Sequence, residues 1–170
     1  MQQIKKIELK LAQWYDSAPH LPVRGQKWLT DNAWWIDLIG VILSAIGMLM
    51  IFLAILVATG VLGILFGIGG VAIGGLLLVA ALINVAFAIV EIVFLAMAII
   101  PLKNGQKRGW NYLFVVLLLS TLSTLVSFLF HLNAGGLVAL FWNAVCLAIW
   151  GYFLFEIRRY LVGAKAASRA

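Results

Sequence analysis

The chain has 170 residues, of which 65% are hydrophobic and only 11% are charged, and its formal net charge is +6. Soluble domains average roughly 45–50% apolar and about 25% charged residues, so this composition excludes an ordinary water-facing fold. A bilayer accepts that much apolar surface, and the sequence therefore predicts an all-α integral membrane protein. Because the basic residues flank apolar runs, we expect them to contact anionic lipids at the cytoplasmic face rather than nucleic acid.

Residues 1–30 predict a cytoplasmic segment built on an amphipathic helix over residues 1–18. Four apolar residues recur at helical spacing on one face, with lysines over much of the remaining surface: Ile4, Ile7, Leu11 and Trp14. This pattern is typical of a helix that lies in the membrane interface, and equally of one docked on the protein's own cytoplasmic end. Pro19 and Pro22 are expected to end the helix.

Four membrane-spanning helices are predicted from the apolar runs. They cover about residues 31–59, 72–100, 110–131 and 137–160, within a transmembrane domain over 31–161 that precedes a basic cytoplasmic tail over 162–170. The first is expected to begin at the N-cap candidates 30–32, and the second to stop at Pro101. The uncharged glycine-rich segment 60–71 would link the first two spans, with a re-entrant dip around 62–75 as a minor alternative. Residues 133–136 would form a short turn between the last two spans.

The distribution of basic residues predicts the topology. The segments before the first span, between the second and third, and after the fourth hold all 12 Lys and Arg residues: five, three and four respectively. Cytoplasmic loops are enriched in these residues. Five spans would place the cluster at 103–108 on the opposite side from the N-terminus. The prediction is therefore a four-transmembrane-helix bundle in a bacterial-type inner membrane, with both termini cytoplasmic and an interfacial helix before the first span.

Glu91 is the strongest candidate for a functional residue. It lies near the middle of the second span with no basic residue close in sequence, and a charge there costs at least about 2.5–3.5 kcal/mol. Counting depth along the spans brings further polar residues to its level or farther out: Asn84, Ser120, Thr124, Ser127 and Asn143, with His131 at the outer mouth. We interpret these residues as a polar column. Two roles compete: a proton or solute path in which Glu91 gains and loses a proton, and interhelical hydrogen bonding.

Other kinds of chemical site are not indicated. Cys146 is the only cysteine, and His20 and His131 are predicted on opposite sides of the membrane. We therefore expect no disulfide within the chain, no metal and no cofactor. No nucleophile motif or phosphate-binding loop is present to indicate an enzyme. Asp37 and Glu156 fall near the predicted ends of spans, the second close to two arginines, and we interpret both as interfacial charges.

The sequence does not identify a biochemical activity. The leading interpretation is a structural, assembly or binding component of the membrane, as a homo-oligomer or within a larger complex. The glycine pairs Gly63/Gly67 and Gly70/Gly74 fit close helix packing, either within the chain or between copies. The alternative is a small proton-coupled transporter or channel built around Glu91. A cavity that reaches Glu91 would favour the alternative, and a filled bundle would exclude both a transporter and a membrane enzyme.

Overall fold

Helices make up nearly all of the part of the chain that the structure describes. This computed structural model describes the backbone of residues 2–130 and 134–167, and the side chains of residues 6–129 and 136–161. The described residues form four helices and no strand: α1 (Gln2–Asp16), α2 (Val23–Lys103), α3 (Lys107–Phe130) and α4 (Ala134–Ala167). Of these, α2, α3 and α4 are long and apolar enough to cross a membrane. The all-helical prediction is confirmed, and the prediction of a membrane protein is supported.

Helix α2, with 81 residues, folds back on itself at Gly67. Gly67 has φ 59° and ψ −135°, and it is the residue of α2 whose backbone leaves the helical region. On either side of it, the Thr59 hydroxyl lies 3.5 Å from the Gly74 carbonyl oxygen. The first arm of α2 (residues 23–66) and the second arm (68–103) therefore run antiparallel. Together with α3 and α4 they give four apolar segments, which is compatible with the predicted bundle.

The segment 60–71 contains the reversal that links the two arms, but it is helical on both sides of Gly67, so the helices extend beyond the predicted span ends at 59 and 72. The two arms also approach each other too closely for larger side chains. A Cβ added at Gly74 would lie 2.7 Å from Thr59 Cγ2, and one added at Gly70 would overlap the Leu62 carbonyl. The Gly70/Gly74 pair thus serves packing within the chain. A re-entrant dip would need two reversals, and the segment makes one.

The start of α2 also differs from the prediction. The helix begins at Val23, directly after Pro22, whose carbonyl accepts the first hydrogen bonds. The expected N-cap residues lie inside the helix, where the Thr30 hydroxyl donates to the Gln26 carbonyl at 2.8 Å. Side chains that bond back to their own helix do not start a new one. The N-cap prediction at 30–32 is therefore wrong by about two turns.

The remaining boundaries shift by a few residues. Helix α2 continues through Pro101 to Lys103, and Gly105 with φ 63° follows its end. Helix α4 begins at Ala134, so the described part of the predicted turn at 133–136 is helical. His131 lies outside the described residues.

The densest packing lies at the end of the bundle opposite Gly67. Trp110, Phe114 and Leu154 are fully buried there, and the Trp110 indole N–H donates to the Leu154 carbonyl at 2.8 Å. Basic side chains gather at the same end, with Lys103 over the Trp34 ring and Arg158 over the Trp110 ring. We call this the basic end. Its grouping of cations from separate helices is what the charge distribution predicted.

The two arms of α2 reach well beyond α3 at the other end. At 1.5 Å per residue the first arm is roughly 65 Å long, whereas α3 is roughly 36 Å long. Ser127, near the end of α3, meets Asn84 on the second arm, so the arms continue roughly 20 Å past that level. Ile64 and Ile68 at this tip are 85% and 91% exposed.

Helix α1 docks on α4. Arg158 donates to the Glu8 carboxylate at 3.0 Å, and the Tyr15 hydroxyl donates to the Ala148 carbonyl at 3.1 Å. The Tyr15 ring stacks on Phe155 with 5.0 Å between centroids. Burial raises the pKa of the Tyr15 phenol, so the hydroxyl remains a donor. The docked arrangement, one of the two interpretations left open by the sequence, is thus present.

The face that docks includes only part of the predicted apolar stripe, of which Leu11 packs against the buried core. Glu8, Ala12 and Tyr15, at i, i+4 and i+7, contact the bundle, whereas Ile7 and Trp14 are 43% and 82% exposed. Ion pairs with basic side chains near the start of α3 and the end of α4 set the orientation of α1. A hydropathy pattern does not reveal such pairs.

Candidate functional site

A cleft of about 550 Å³ opens between the first arm of α2 and α4. The second arm and α3 contribute to its lining. The lining combines four polar residues with apolar and aromatic ones: Asp37, Ser44, Glu91 and Ser120, against Trp28, Trp150 and Phe153 among others. Ligand pockets typically measure about 300–1,000 Å³ and are mostly apolar with a few polar groups. By size and lining, the cleft has the character of a binding site.

Asp37 is the most unusual group in the cleft. It is 6% exposed, and both of its carboxyl oxygens are buried without a hydrogen-bond partner among the described residues. The prediction of an interfacial charge is therefore wrong for Asp37. Because α2 begins at Val23, the residue lies about four turns inside the helix. Gly40 and Ser44, at i+3 and i+7, line the cleft from the same helix face, and this spacing was the available signal.

Glu91 lies on the opposite side of the cleft, on the second arm. The Ser120 and Ser123 hydroxyls lie beside its carboxyl group, Ser120 at the level that depth counting predicted. Its Oε1 atom is buried and has no hydrogen-bond partner in the described part of the chain. From the pairing of the two arms, Asp37 and Glu91 lie roughly 10 Å apart along the bundle axis, with Asp37 nearer the basic end.

A second cavity of about 350 Å³, the central cavity, adjoins the cleft. Glu91, Ser120 and Trp150 line both spaces. Two other predicted site residues, Thr124 and Asn143, line the central cavity as well. Glu91 thus separates a cleft near the basic end from a polar space deeper in the bundle.

A third cavity of about 660 Å³, the distal cavity, continues toward the far end of α3. It shares Thr124 and Asn143 with the central cavity and is also lined by Asn84 and Ser127. The structure therefore places all six predicted site residues along two consecutive cavities. With the cleft, these cavities form a series of adjoining spaces that runs from Asp37 to Ser127, which we call the polar column.

Hydrogen bonding within the polar column is mostly local to each helix. The Ser127 hydroxyl donates to Asn84 Oδ1 at 2.6 Å and joins α3 to the second arm. Three other donors bond carbonyls of their own helix: Asn84 Nδ2 to Ala80, Asn143 Nδ2 to Ala139 and Ser123 Oγ to Ser120. The far half of the column therefore contains an interhelical hydrogen bond expected of a packing role, while its near half contains the carboxyl oxygens that have no partner among the described residues.

No basic side chain faces the two carboxyl groups among the described residues that line the cleft. The nearby Lys103 lies over Trp34 instead. Among the described residues no group of three or more His, Cys, Asp or Glu could hold a metal ion. Two carboxyl groups without a counter-charge favour protons or a cationic ligand and repel anions.

Glu156 shows the opposite environment. It is 3% exposed, and its carboxylate accepts from Gln26 Nε2 at 2.8 Å and contacts His20 Nδ1 at 2.9 Å. The interpretation of Glu156 as an interfacial charge beside the arginines is therefore wrong. Arg158 and Arg159 turn to acidic residues of α1 instead. Glu156 is a structural contact between α4 and the segment that joins α1 to α2.

Cys146 is a built-in reporter for the central cavity, because it is exposed and lines that cavity with Glu91. In proteoliposomes we expect a small cationic methanethiosulfonate to modify Cys146 at least about ten times faster than an anionic one, since negative charge concentrates cations. The measurement is the modification rate by mass spectrometry. Glu91→Gln should reduce the preference and Glu8→Gln should not. Equal rates for both reagents would contradict a negatively charged, water-accessible cavity.

The described chain thus combines a cleft lined by two carboxyl groups that keep unpaired oxygens, two further polar cavities and helices long and apolar enough to cross a membrane. Such an arrangement can bind protons or cations. No protein-family model, no curated protein and no solved structure matches this chain.

Proposed function

We propose that the protein is a small proton-coupled membrane transporter that uses Asp37 and Glu91 as its proton-binding groups. One observation carries the proposal: both carboxyl groups line a single cleft that contains no basic side chain among its described residues. A carboxyl group kept for packing alone would gain from a partner or from replacement by an amide, because an unpaired charge in the membrane is costly. Of the two functions that the sequence left open, the cleft favours transport.

The order of the groups suggests how a proton would move. A proton from the cytoplasmic side binds Asp37, which is nearer the basic end, and then Glu91 at the border of the central cavity. Beyond Glu91 the cavities are lined by hydroxyl and amide groups that mostly bond their own helices, so water would have to bridge them. Protonation also removes the free-energy cost of burying each carboxylate. Proton binding is therefore coupled to how far the cleft is open to water.

The membrane setting is part of the proposal. The basic end would face the cytoplasm in an inner membrane, with both termini on that side and with cations near anionic lipid headgroups. Helix α1 would lie at the interface, docked through Glu8 and Tyr15 and turning Ile7 and Trp14 toward lipid. The support is the gathering of basic side chains at one end and the exposed apolar face of α1.

A second candidate, an assembly component of the membrane, is favoured by the tip of the α2 hairpin. Ile64, Phe66 and Ile68 are 85%, 66% and 91% exposed where the arms extend beyond α3. Apolar surface outside a bilayer favours association. Self-association or a larger complex would cover this tip, and the size of the protein in detergent measures it.

Glu91→Gln tests the transport function. In proteoliposomes with a pH-sensitive dye inside, we expect the unmodified protein to carry protons down a pH gradient and Glu91→Gln to lose at least about nine-tenths of that flux, since an amide cannot exchange the proton. The substitution keeps the size and the hydrogen-bonding capacity of the side chain, so stability and oligomer size should change little.

Asp31→Asn is the matched control, because Asp31 is an exposed acid of the same helix outside the cleft. It should leave the flux unchanged. Proton flux that is unaltered in Glu91→Gln, or absent from the unmodified protein, would refute transport. A Glu91→Gln variant that changes only the oligomer size would favour the assembly function.

A further inference from the structure

The cleft specifies the charge of what it binds. Asp37 presents two buried oxygens and Glu91 one, none with a hydrogen-bond partner among the described residues. A ligand that satisfies such oxygens must bring positive charge and N–H or O–H donors. A divalent metal ion would need more oxygen ligands than two carboxyl groups roughly 10 Å apart supply at one point. Anions are excluded by the sign of the charge.

The walls of the cleft specify the rest of the ligand. Trp28, Trp150 and Phe153 line it together with aliphatic side chains, and Trp28 and Phe153 are 63% and 40% exposed. Aromatic rings bind both apolar groups and cations, the latter through the negative face of the ring. The volume of about 550 Å³ exceeds what a bare ammonium ion needs and fits an organic molecule. The ligand should therefore carry an apolar or aromatic body.

We propose that the cleft binds a protonated amine with an apolar or aromatic body, and that the movement of this amine is coupled to that of the protons. The inference rests on the proposed transport function and names its substrate class. The ammonium group binds the Asp37 carboxylate, which has both oxygens available, while Glu91 retains the proton. One ammonium and one proton then compensate the two negative charges. When Glu91 loses its proton toward the distal side, one carboxylate of the cleft has no compensating positive charge. This favours the binding of the next cation.

The test compares three probes of one shape with the full-length protein in lipid nanodiscs. These are 2-phenylethylammonium, the isosteric alcohol 2-phenylethanol and the anion 3-phenylpropanoate, and calorimetry measures binding against protein-free nanodiscs. We expect the ammonium probe to bind at least tenfold more tightly than the alcohol, and the anion not to bind. Equal affinity for the ammonium and the alcohol would overturn the proposal.

Two variants assign the binding to the cleft. Asp37→Asn should weaken ammonium binding at least tenfold, whereas Asp31→Asn should leave it unchanged. Gly40→Leu offers a second route, because Gly40 lines the cleft and has open space around its Cα, so a larger side chain fills the cleft without a clash. It should abolish binding in a folded protein. Ammonium binding that survives both substitutions would place the site elsewhere and overturn the proposal.

Proton flux separates the two hypotheses. Glu91-dependent flux without selective ammonium binding would overturn the ligand class and leave proton transport standing. Ammonium binding that depends on Asp37, without any Glu91-dependent flux, would refute transport and reduce the cleft to a binding site. If both hypotheses are right, the ammonium probe should accelerate the proton flux of the unmodified protein. It should no longer accelerate the flux of Asp37→Asn.

Discussion

Gly67→Ala is expected to destabilise the chain by about 1–3 kcal/mol and to separate the two arms of α2. Gly67 combines φ 59° with ψ −135°, a region that residues with a Cβ rarely adopt because the Cβ meets the backbone. The reversal depends on this one residue, so the variant must either carry the strain or straighten. The measurement is disulfide formation between Gly63→Cys and Val71→Cys, combined with thermal unfolding in detergent.

The cross-link reports the reversal directly, since a Cβ added at Gly63 would lie 3.4 Å from Val71 Cγ2 on the other arm. Cys146→Ser removes the native thiol from the assay. Gly69→Ala is the matched control, because Gly69 lies two residues away at a negative φ with open space around it. It should be neutral or stabilising by up to about 1 kcal/mol. Equal cross-linking and equal stability in the two alanine variants would mean that the reversal does not depend on Gly67.

Hydropathy and charge predicted the apolar segments, but they could not place the reversal. The segment 60–71 contains several glycines, and each of them can adopt a positive φ. The choice of Gly67 depends on how the arms pack, for example on Thr59 against Gly74, and that contact joins residues 15 positions apart. The glycine content of segment 60–71 therefore predicted a link between the two spans. Packing between the arms keeps every residue of this segment except Gly67 helical.

The candidate site was predictable where depth counting applied. Glu91 and Ser120 lie side by side in the structure. The sequence placed them at the same level because both were counted inward from helix ends near residues 101–110, and these ends were predicted nearly correctly. Asp37 was missed because Thr30 and its neighbours resemble a helix start. In the structure these side chains bond back to the preceding turn, so the helix begins earlier and Asp37 is buried. Because the predicted helix start was wrong by about two turns, the sequence placed Asp37 at the interface, whereas the structure places it in the cleft.

Three acids are half-buried or buried in the bundle, and their surroundings separate structure from function. Glu156 has two hydrogen-bond partners, whereas Asp37 has none among the described residues and Glu91 leaves one oxygen unpaired. A buried carboxylate with hydrogen-bond partners holds neighbouring helices and segments together. A buried carboxyl group without partners is a candidate for binding a proton or a ligand. The contrast predicts opposite consequences of neutralisation: loss of stability at Glu156, and loss of function with little loss of stability at Asp37 and Glu91.

Glu156→Ala should therefore destabilise the protein by about 2–4 kcal/mol, because it leaves the Gln26 amide buried without its acceptor and removes the partner of His20. The segment 17–22 is also held by the Tyr152 hydroxyl, which donates to the Pro19 carbonyl at 2.6 Å. Loss of the carboxylate should loosen this segment before the bundle unfolds. The measurements are thermal unfolding in detergent and the rate of trypsin cleavage near Arg24.

Asp16→Asn is the control for Glu156→Ala, since Asp16 also joins the N-terminal segment to α4 but does so at the surface. Its contact with Arg159 measures 3.4 Å between side chains that are 63% and 45% exposed, and such pairs contribute at most about 1 kcal/mol. The loss of stability should therefore be several times larger for the buried contact than for the exposed one. If the two variants unfold alike and are cleaved at the same rate, the buried carboxylate does not hold this end of the bundle together.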